Sequence, residues 1–320
     1  MVDEKYKPVD ATKVPRFSDI ATFMRTRRID PNPEIDIGLV GVPFDIGVNY
    51  RGGPREGPTA VRQASRIIRE VHPTSDIGPY TLCNIADIGD APVNPLDKDR
   101  CIDELTAYFT DLRALGIRPM AIGGDHTIPL PILRGITANE PVGILHIDAH
   151  ADTLDELCGT KVNHATFMRR GVEEGLIDPK RVIQLGLRGS RFSKNDIDFG
   201  RDAGFTIMTY DDYEAMGRAR AIEIISDVLG KGRTYVSVDI DGLDPSYCPG
   251  TPVPEIGGLT PRDAQVIFRS LEGVDVIGAD ISEVAPCYDP TNITAVTAAN
   301  LMFELVCVMA VAAAASKGEQ

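Results

Sequence analysis

The sequence predicts an α/β fold, a mostly parallel sheet of roughly seven or eight strands with helices on both faces. Three observations carry this. Short apolar runs alternate with segments of helical period along the whole chain, a pattern that calls for crossover units. The runs read as strands buried on both faces, as parallel strands are. Of the 320 residues, 43% are hydrophobic and charges are mixed along the chain, which argues against disorder.

The elements follow in order. Residues 35–42 form an apolar strand closed by Pro43. Residues 57–71 have helical spacing, with Pro58 near the start, where a missing N–H costs nothing. Strand 82–88 precedes helix 99–115, whose Ile102, Leu105, Phe109 and Leu112 share one face. Strand 118–122 runs into Gly123-Gly124, then come helix 127–136 and strand 142–147. Strand 182–187, helix 212–229, strand 234–240, helix 260–271 and strand 274–281 continue the alternation. The apolar stretch 293–315 is interrupted by Asn300 and Glu304 and reads as a buried C-terminal helix rather than a membrane span. No repeat or composition shift marks a linker, so residues 35–320 are expected to form a single catalytic domain. Residues 1–34 are expected to be an N-terminal arm packed on its surface.

Lys and Arg number 33 against 47 Asp and Glu, a net charge of −14. That balance excludes nucleic acid and an anionic membrane surface as partners. The six cysteines show no CxxC pair and read as free thiols in a reducing compartment. The first residues contain no apolar core of a signal peptide, so a cytoplasmic location is expected.

Sites in parallel sheets form in the loops after strands. Here those loops read GGDH, DAHAD, DIDGLDP and DISEVAP. In Asp148-Ala149-His150-Ala151-Asp152 the polar groups recur at every second residue and share a face if the piece is extended. Asp239 and Asp241 repeat that spacing, and His126 follows Asp125 at a third strand end. Four carboxylates and two imidazoles converging on one edge would repel strongly without a cation. Oxygen and imidazole ligands without thiolate favour Mn²⁺ or a similar ion. A two-metal site of this kind activates water near neutral pH. His146 lies one pleat deeper than Asp148 and reads as a packed, hydrogen-bonded core histidine, while His72 before Pro73 reads as surface.

Together the stretches GGDHTIPLP, HIDAHADT, SVDIDGLDP with the downstream PEIGGLT, and DISEVAP resemble the ureohydrolase family of arginase, agmatinase, guanidinobutyrase and guanidinopropionase. The resemblance extends to VPRFSDIATFMR, GVPFDIG and RGGPREGP near the N-terminus and is nearest the guanidinopropionase and guanidinobutyrase branch. It implies a three-layer α/β/α fold with a mostly parallel, eight-stranded, arginase-like sheet. It also implies hydrolysis of a guanidino compound to urea and an amine by a metal-bridging hydroxide, with two Mn²⁺, or alternatively two Ni²⁺. By the same resemblance His126, Asp148, Asp152 and Asp239 hold one ion, and Asp148, His150, Asp239 and Asp241 the other. Asp152 would pass a proton to the leaving amine, Glu283 would pair with the substrate guanidinium, and His164 would shuttle protons. The implied partners are a small cationic guanidino substrate and further copies of the chain, as a homotrimer or hexamer. A hetero-oligomer with a paralogous subunit is also compatible.

The chain departs from relatives in two loops. Ala165 stands where they carry glycine, and Pro252 and Pro254 stiffen the loop after the metal aspartates. The segment between Asp152 and His164 is expected to wall the substrate pocket; its Asp155 and Glu156 either face that pocket or are solvated loop acids, and Lys161 is its one base. An acidic wall suits a cationic tail such as that of agmatine, a substituted guanidine or a biguanide. Arg188 or Arg191 would instead reach a carboxylate tail.

Overall fold

The computed structural model describes residues 3–318. Its strands are β1 (Ile37–Val42), β2 (Ile85–Asp90), β3 (Arg118–Gly123), β4 (Val142–Ile147), β5 (Ile177–Leu187), β6 (Thr206–Thr209), β7 (Thr234–Asp239) and β8 (Val276–Ser282). They form one eight-stranded sheet in the order β2-β1-β3-β8-β7-β4-β5-β6. Every neighbouring pair is parallel. The helices are α1 (Gly57–Ala64), α2 (Pro79–Leu82), α3 (Lys98–Ala114), α4 (Pro129–Ile136), α5 (Phe167–Glu173), α6 (Asp198–Ala203), α7 (Tyr210–Met216), α8 (Arg218–Leu229), α9 (Pro261–Arg269) and α10 (Ile293–Gly318).

The pleat divides the strand side chains between two cores. Ile37 and Leu39 of β1 face one core, closed by α1, α8, α9 and α10. Val40 and Val42 face the other, closed by α3, α4 and α5. The result is the three-layer arrangement expected. Helix α9 starts where Thr260 and Asp263 cap each other reciprocally and Pro261 occupies the first turn. By length and composition α10 would cross a membrane, but 78% of its apolar window is buried inside the protein, which makes it a core helix. Residues 3–34 contribute no strand, and their Tyr6, Phe23 and Met24 are buried against the domain.

Several local expectations are corrected. The helix expected over 57–71 stops at Ala64 and becomes a 3-10 turn, Ser65–Ile67, where Ser65 bonds back to the Arg62 carbonyl and takes the N–H of Met24. The helix expected over 212–229 is two helices, split at Gly217 with a φ of 79° that favours glycine. Strand β6 and helices α5 and α6 are too short to give a periodic signal. Expected as surface, His72 is 2% exposed. Both of its nitrogens are satisfied, Nε2 at 3.0 Å from Glu304 and Nδ1 receiving the Ser75 N–H at 3.1 Å, so burial leaves no polar group orphaned.

For function the strand order matters most. It sets β3, β8, β7 and β4 side by side. The loops after these four strands, far apart in sequence, therefore meet at one sheet edge.

Candidate active site

His126, Glu283, Asp239 with Asp241, and Asp148 with His150 and Asp152 stand on those four loops, in the sheet's lateral order. The Nδ1 of His126 lies 3.0 Å from Asp148 Oδ2, 2.9 Å from Asp152 Oδ2 and 3.4 Å from Asp239 Oδ2. On the other side of Asp148, the Nδ1 of His150 lies 3.4 Å from Asp148 Oδ1 and 3.2 Å from Asp241 Oδ2. Ligand atoms of His126, His146, Asp148 and Asp152 fall within 4.8 Å of one another, and so do those of Asp148, His150 and Asp241. Asp148 belongs to both groups. All six residues expected to hold metal come together, Asp239 through its contact with His126 rather than as a member of either group. His146, expected as a core residue, is buried as expected but also faces the cluster, at 2.9 Å from Asp148 Oδ2.

Three features of this arrangement fit a pair of divalent ions. First, His126 Nδ1, His146 Nε2, Asp148 Oδ2 and Asp152 Oδ2 are buried without a well-directed hydrogen-bond partner, a costly state that a cation relieves for the carboxylates and His126. Second, burial, then Asp241 and Asp148, push the Asp239 carboxyl well above the ordinary carboxylate range, and burial and Asp148 raise Asp152. Third, Asp152 sits at φ 53° and Glu283 at φ 62°, a conformation that L residues adopt at a cost and that clusters at functional sites.

Other side chains aim the cluster. Ser237 lies 2.9 Å from His126 Nε2, which leaves Nδ1 to face the carboxylates. Buried Asp125 takes the backbone N–H of Gly47 at 2.8 Å and of Thr127 at 2.9 Å, and desolvation lifts its carboxyl to about 6. A side chain at Gly47 would collide with Thr127, so the loop approaches only as glycine. Glu283 Oε1 accepts the His126 N–H at 2.9 Å, while its buried Oε2 has no partner. His164 Nδ1 stands 3.7 Å from that Oε1, and its Nε2 lies 3.1 Å from Asn49 Oδ1. Burial, with His150 and His126 nearby, pulls the His164 pKa down to about 4. Ala165 is not among the residues with positive φ, so it carries no glycine-type strain.

A cavity of about 1060 Å³ opens over the cluster. The segment after Asp152 lines it through Thr153, Leu154 and Leu157, while Asp155 and Glu156 do not: Asp155 turns away to Arg170 at 2.7 Å. The acids that do line it beyond the cluster are Asp196, Asp211, Glu214 and Glu255. Arg188 spends its guanidinium on six carbonyl groups, those of Gly186, Asp241, Gly242, Leu243, Glu255 and Ile256, and is a strut rather than a substrate contact. Arg191 stays exposed at the rim. A side chain at Gly189 would overlap the Glu255 carboxylate, so this glycine makes room for it. Asn49, Ser237, Gln184 and Glu255 were not identified from sequence. Only Ser237 carried a signal, standing two residues before Asp239 and hence on the same strand face.

With this geometry in hand, comparison with known proteins is decisive. The family model described as the arginase family matches residues 35–307. The chain belongs to the arginase family. It is 42% identical over 317 residues to the guanidinopropionase of Pseudomonas aeruginosa, covering 99% of this chain and 100% of that protein. Identity to the guanidinobutyrase of the same species is 39%, over 95% of this chain and 97% of the relative. The solved structure of proclavaminate amidino hydrolase from Streptomyces clavuligerus superposes with a TM-score of 0.89 at 34% identity, covering 93% of this chain and all of that one. The chain is thus a hydrolase of a family whose members depend on two metal ions, and its structure carries a His/Asp cluster that could hold metal.

Proposed function

We propose that the protein hydrolyses a guanidino C–N bond, releasing urea and an amine. The observation that supports this most is the convergence of buried, unpartnered ligand atoms of His126, Asp148 and Asp152 beside the buried, unpartnered Oε2 of Glu283 under one open cavity. In this reading His126, Asp148, Asp152 and Asp239 hold one ion, and Asp148, His150, Asp239 and Asp241 the other. Two divalent ions supply a water nucleophile active near neutral pH. We assign two Mn²⁺ from the oxygen and imidazole ligand set, with two Ni²⁺ as the alternative that metal analysis separates.

The residues do the rest. A guanidinium carbon is a poor electrophile because its charge is shared by three nitrogens, so fixing it in place is part of the catalysis. Glu283 Oε2 holds the guanidinium by charge-assisted hydrogen bonds. Asp152 carries the proton from the attacking water to the departing nitrogen. His164, held between Glu283 and Asn49, exchanges protons with solvent through the cavity. Residues 35–320 act as one catalytic unit with the first 34 as an arm, in a cytoplasmic homo-oligomer, trimer or hexamer.

A guanidino acid such as guanidinopropionate or guanidinobutyrate follows from the similarity to the two Pseudomonas enzymes. A second reading is favoured by the cavity itself. With Arg188 locked to the backbone, the four outer acids outnumber the two other arginines on the wall, Arg191 and Arg201, which suits a cationic substrate such as agmatine, a substituted guanidine or a biguanide. The test is metal analysis of the purified protein with a product assay on guanidinopropionate, guanidinobutyrate, agmatine, arginine, free and methylated guanidines and a biguanide. Urea or guanylurea release, abolished by Asp152→Asn and by Asp239→Ala, is the expected result. Full activity after either change sinks the mechanism.

A further inference from the structure

Asp152, proposed above to hold one ion and to carry the proton, sits at φ 53°. This is the left-handed region, which few L residues enter even where the side chain is as short as an aspartate's. Strand β4 ends at Ile147, so no ladder shapes the chain here. Such a conformation persists only where the surroundings over-determine it.

The bonds that do so are identifiable. Peptide units are planar, so the φ and ψ of a residue are fixed once the two units flanking its Cα are fixed. The unit before Asp152 is tied at its carbonyl: Gln184 on β5 donates its side-chain amide to the Ala151 oxygen at 2.7 Å. A carbonyl only accepts, so it is the NH₂ of the glutamine that faces it. The unit after Asp152 is tied at its carbonyl as well, by the backbone N–H of Met168 in the first turn of α5, at 3.2 Å. Between these two ties the Oδ2 of Asp152 comes to 2.9 Å from His126 Nδ1. Met168 contributes a backbone group, so Gln184 is the side chain of the pair.

For stability alone a glutamine is a poor choice at this place. It is fully buried, its Nε2 also lies 3.1 Å from His146 Nδ1, and its Oε1 has no partner. A buried oxygen left unpaired offsets what the bond to Ala151 contributes to folding.

We infer that Gln184 is a positioning residue for Asp152: by holding the Ala151 carbonyl it keeps Asp152 left-handed, with the carboxylate turned to His126. The inference rests on the role proposed for Asp152 above.

The experiment compares the full-length protein with Gln184→Met, which matches the glutamine in length and has no donor. In metal-free crystals of unaltered protein Asp152 keeps its positive φ, and in Gln184→Met it leaves the left-handed region. Calorimetric titration shows Mn²⁺ bound about 10–100-fold more weakly by the variant, the usual effect of losing a group that orients a ligand. The melting temperature does not fall. With Mn²⁺ saturating, urea release from guanidinopropionate drops through kcat at unchanged KM, because Glu283 stands on another loop. A positive φ retained in Gln184→Met overturns the inference, and so does unchanged Mn²⁺ affinity or a loss confined to KM. A lower melting temperature with Asp152 unmoved overturns it too, since Gln184 then serves the fold alone. Should Gln184→Met not fold, Gln184→Asn, which keeps the amide but is one methylene short of the Ala151 carbonyl, carries the same test. The underlying reading fails separately: full activity of Asp152→Asn, or no Mn²⁺ bound by unaltered protein, removes the role of Asp152 and leaves its φ to decide on Gln184.

Discussion

Replacing Glu283 with glutamine removes one charge and almost nothing of the shape. The carboxyl is 2% exposed, with Oε1 occupied by the His126 N–H at 2.9 Å and Oε2 without a partner. The amide oxygen of Glu283→Gln continues to accept from His126, and its NH₂ takes the place of Oε2. A guanidinium offers only donors, so a pair of charge-assisted contacts becomes a donor facing donors. Losing a hydrogen bond to a charged group costs about 1.5–3 kcal/mol. At about 1.36 kcal/mol per tenfold, kcat/KM falls by about 10–150-fold. Burial, followed by the nearby Asp125, already pushes the Glu283 carboxyl well up, so removing the charge relieves a penalty and the metal-free variant melts no lower than the unaltered protein. The assay is steady-state product release with metal content per chain measured on the same sample. A variant that keeps its metal and its kcat/KM refutes the substrate role of Glu283.

Three further outcomes are expected. Glu304 is 4% exposed and receives Arg269 and His72, so Glu304→Ala leaves the buried His72 donor unpaired and the half-buried Arg269 without its carboxylate, and lowers stability by about 1–3 kcal/mol in thermal unfolding. A loss no larger than that of a surface pair contradicts the account. Asp244 accepts the N–H groups of Ser246, Gly257 and Gly258, which outweigh its desolvation and hold its pKa at about 2. Its stabilising effect is present above the unfolded value of about 3.9 and is lost as pH falls through the folded one. Asp244→Ala therefore destabilises at neutral pH, and its difference from unaltered protein in acid-unfolding curves shrinks toward pH 2. Arg188→Met lowers the melting temperature without changing the preference between carboxylate- and amine-tailed substrates, whereas Glu255→Gln shifts that preference toward carboxylate tails. A specificity change in Arg188→Met alone would show that the strut reading is wrong.

Much of this was legible in one dimension. Strands buried on both faces are mostly apolar, so β1, β3, β4, β7 and β8 stand out in the sequence, while the half-buried edge strand β6 and the short helices α5 and α6 carry too few periodic residues to be seen. The ligands were legible because alternation places every second residue on one side of a strand end, as in Asp148, His150 and Asp152. Asp155 shows the limit. It lies in the right loop, yet its side chain turns to Arg170, a choice made by a residue 15 positions away.

The layered α/β class and the six residues proposed to hold metal can be read from hydrophobic pattern and local spacing, and the family from the motifs that carry the resemblance, because all of these survive without coordinates. The strand order that sets β3, β8, β7 and β4 side by side exists only in the folded chain, since each crossover skips over chain segments that pattern cannot order. Folding also buries His72 against Glu304, spends the Arg188 guanidinium on carbonyl groups, and brings His126 and His146 to the same carboxylate. Groups that stand across the sheet from one another, such as Ser237 beside His126, are neighbours only once the chain has folded.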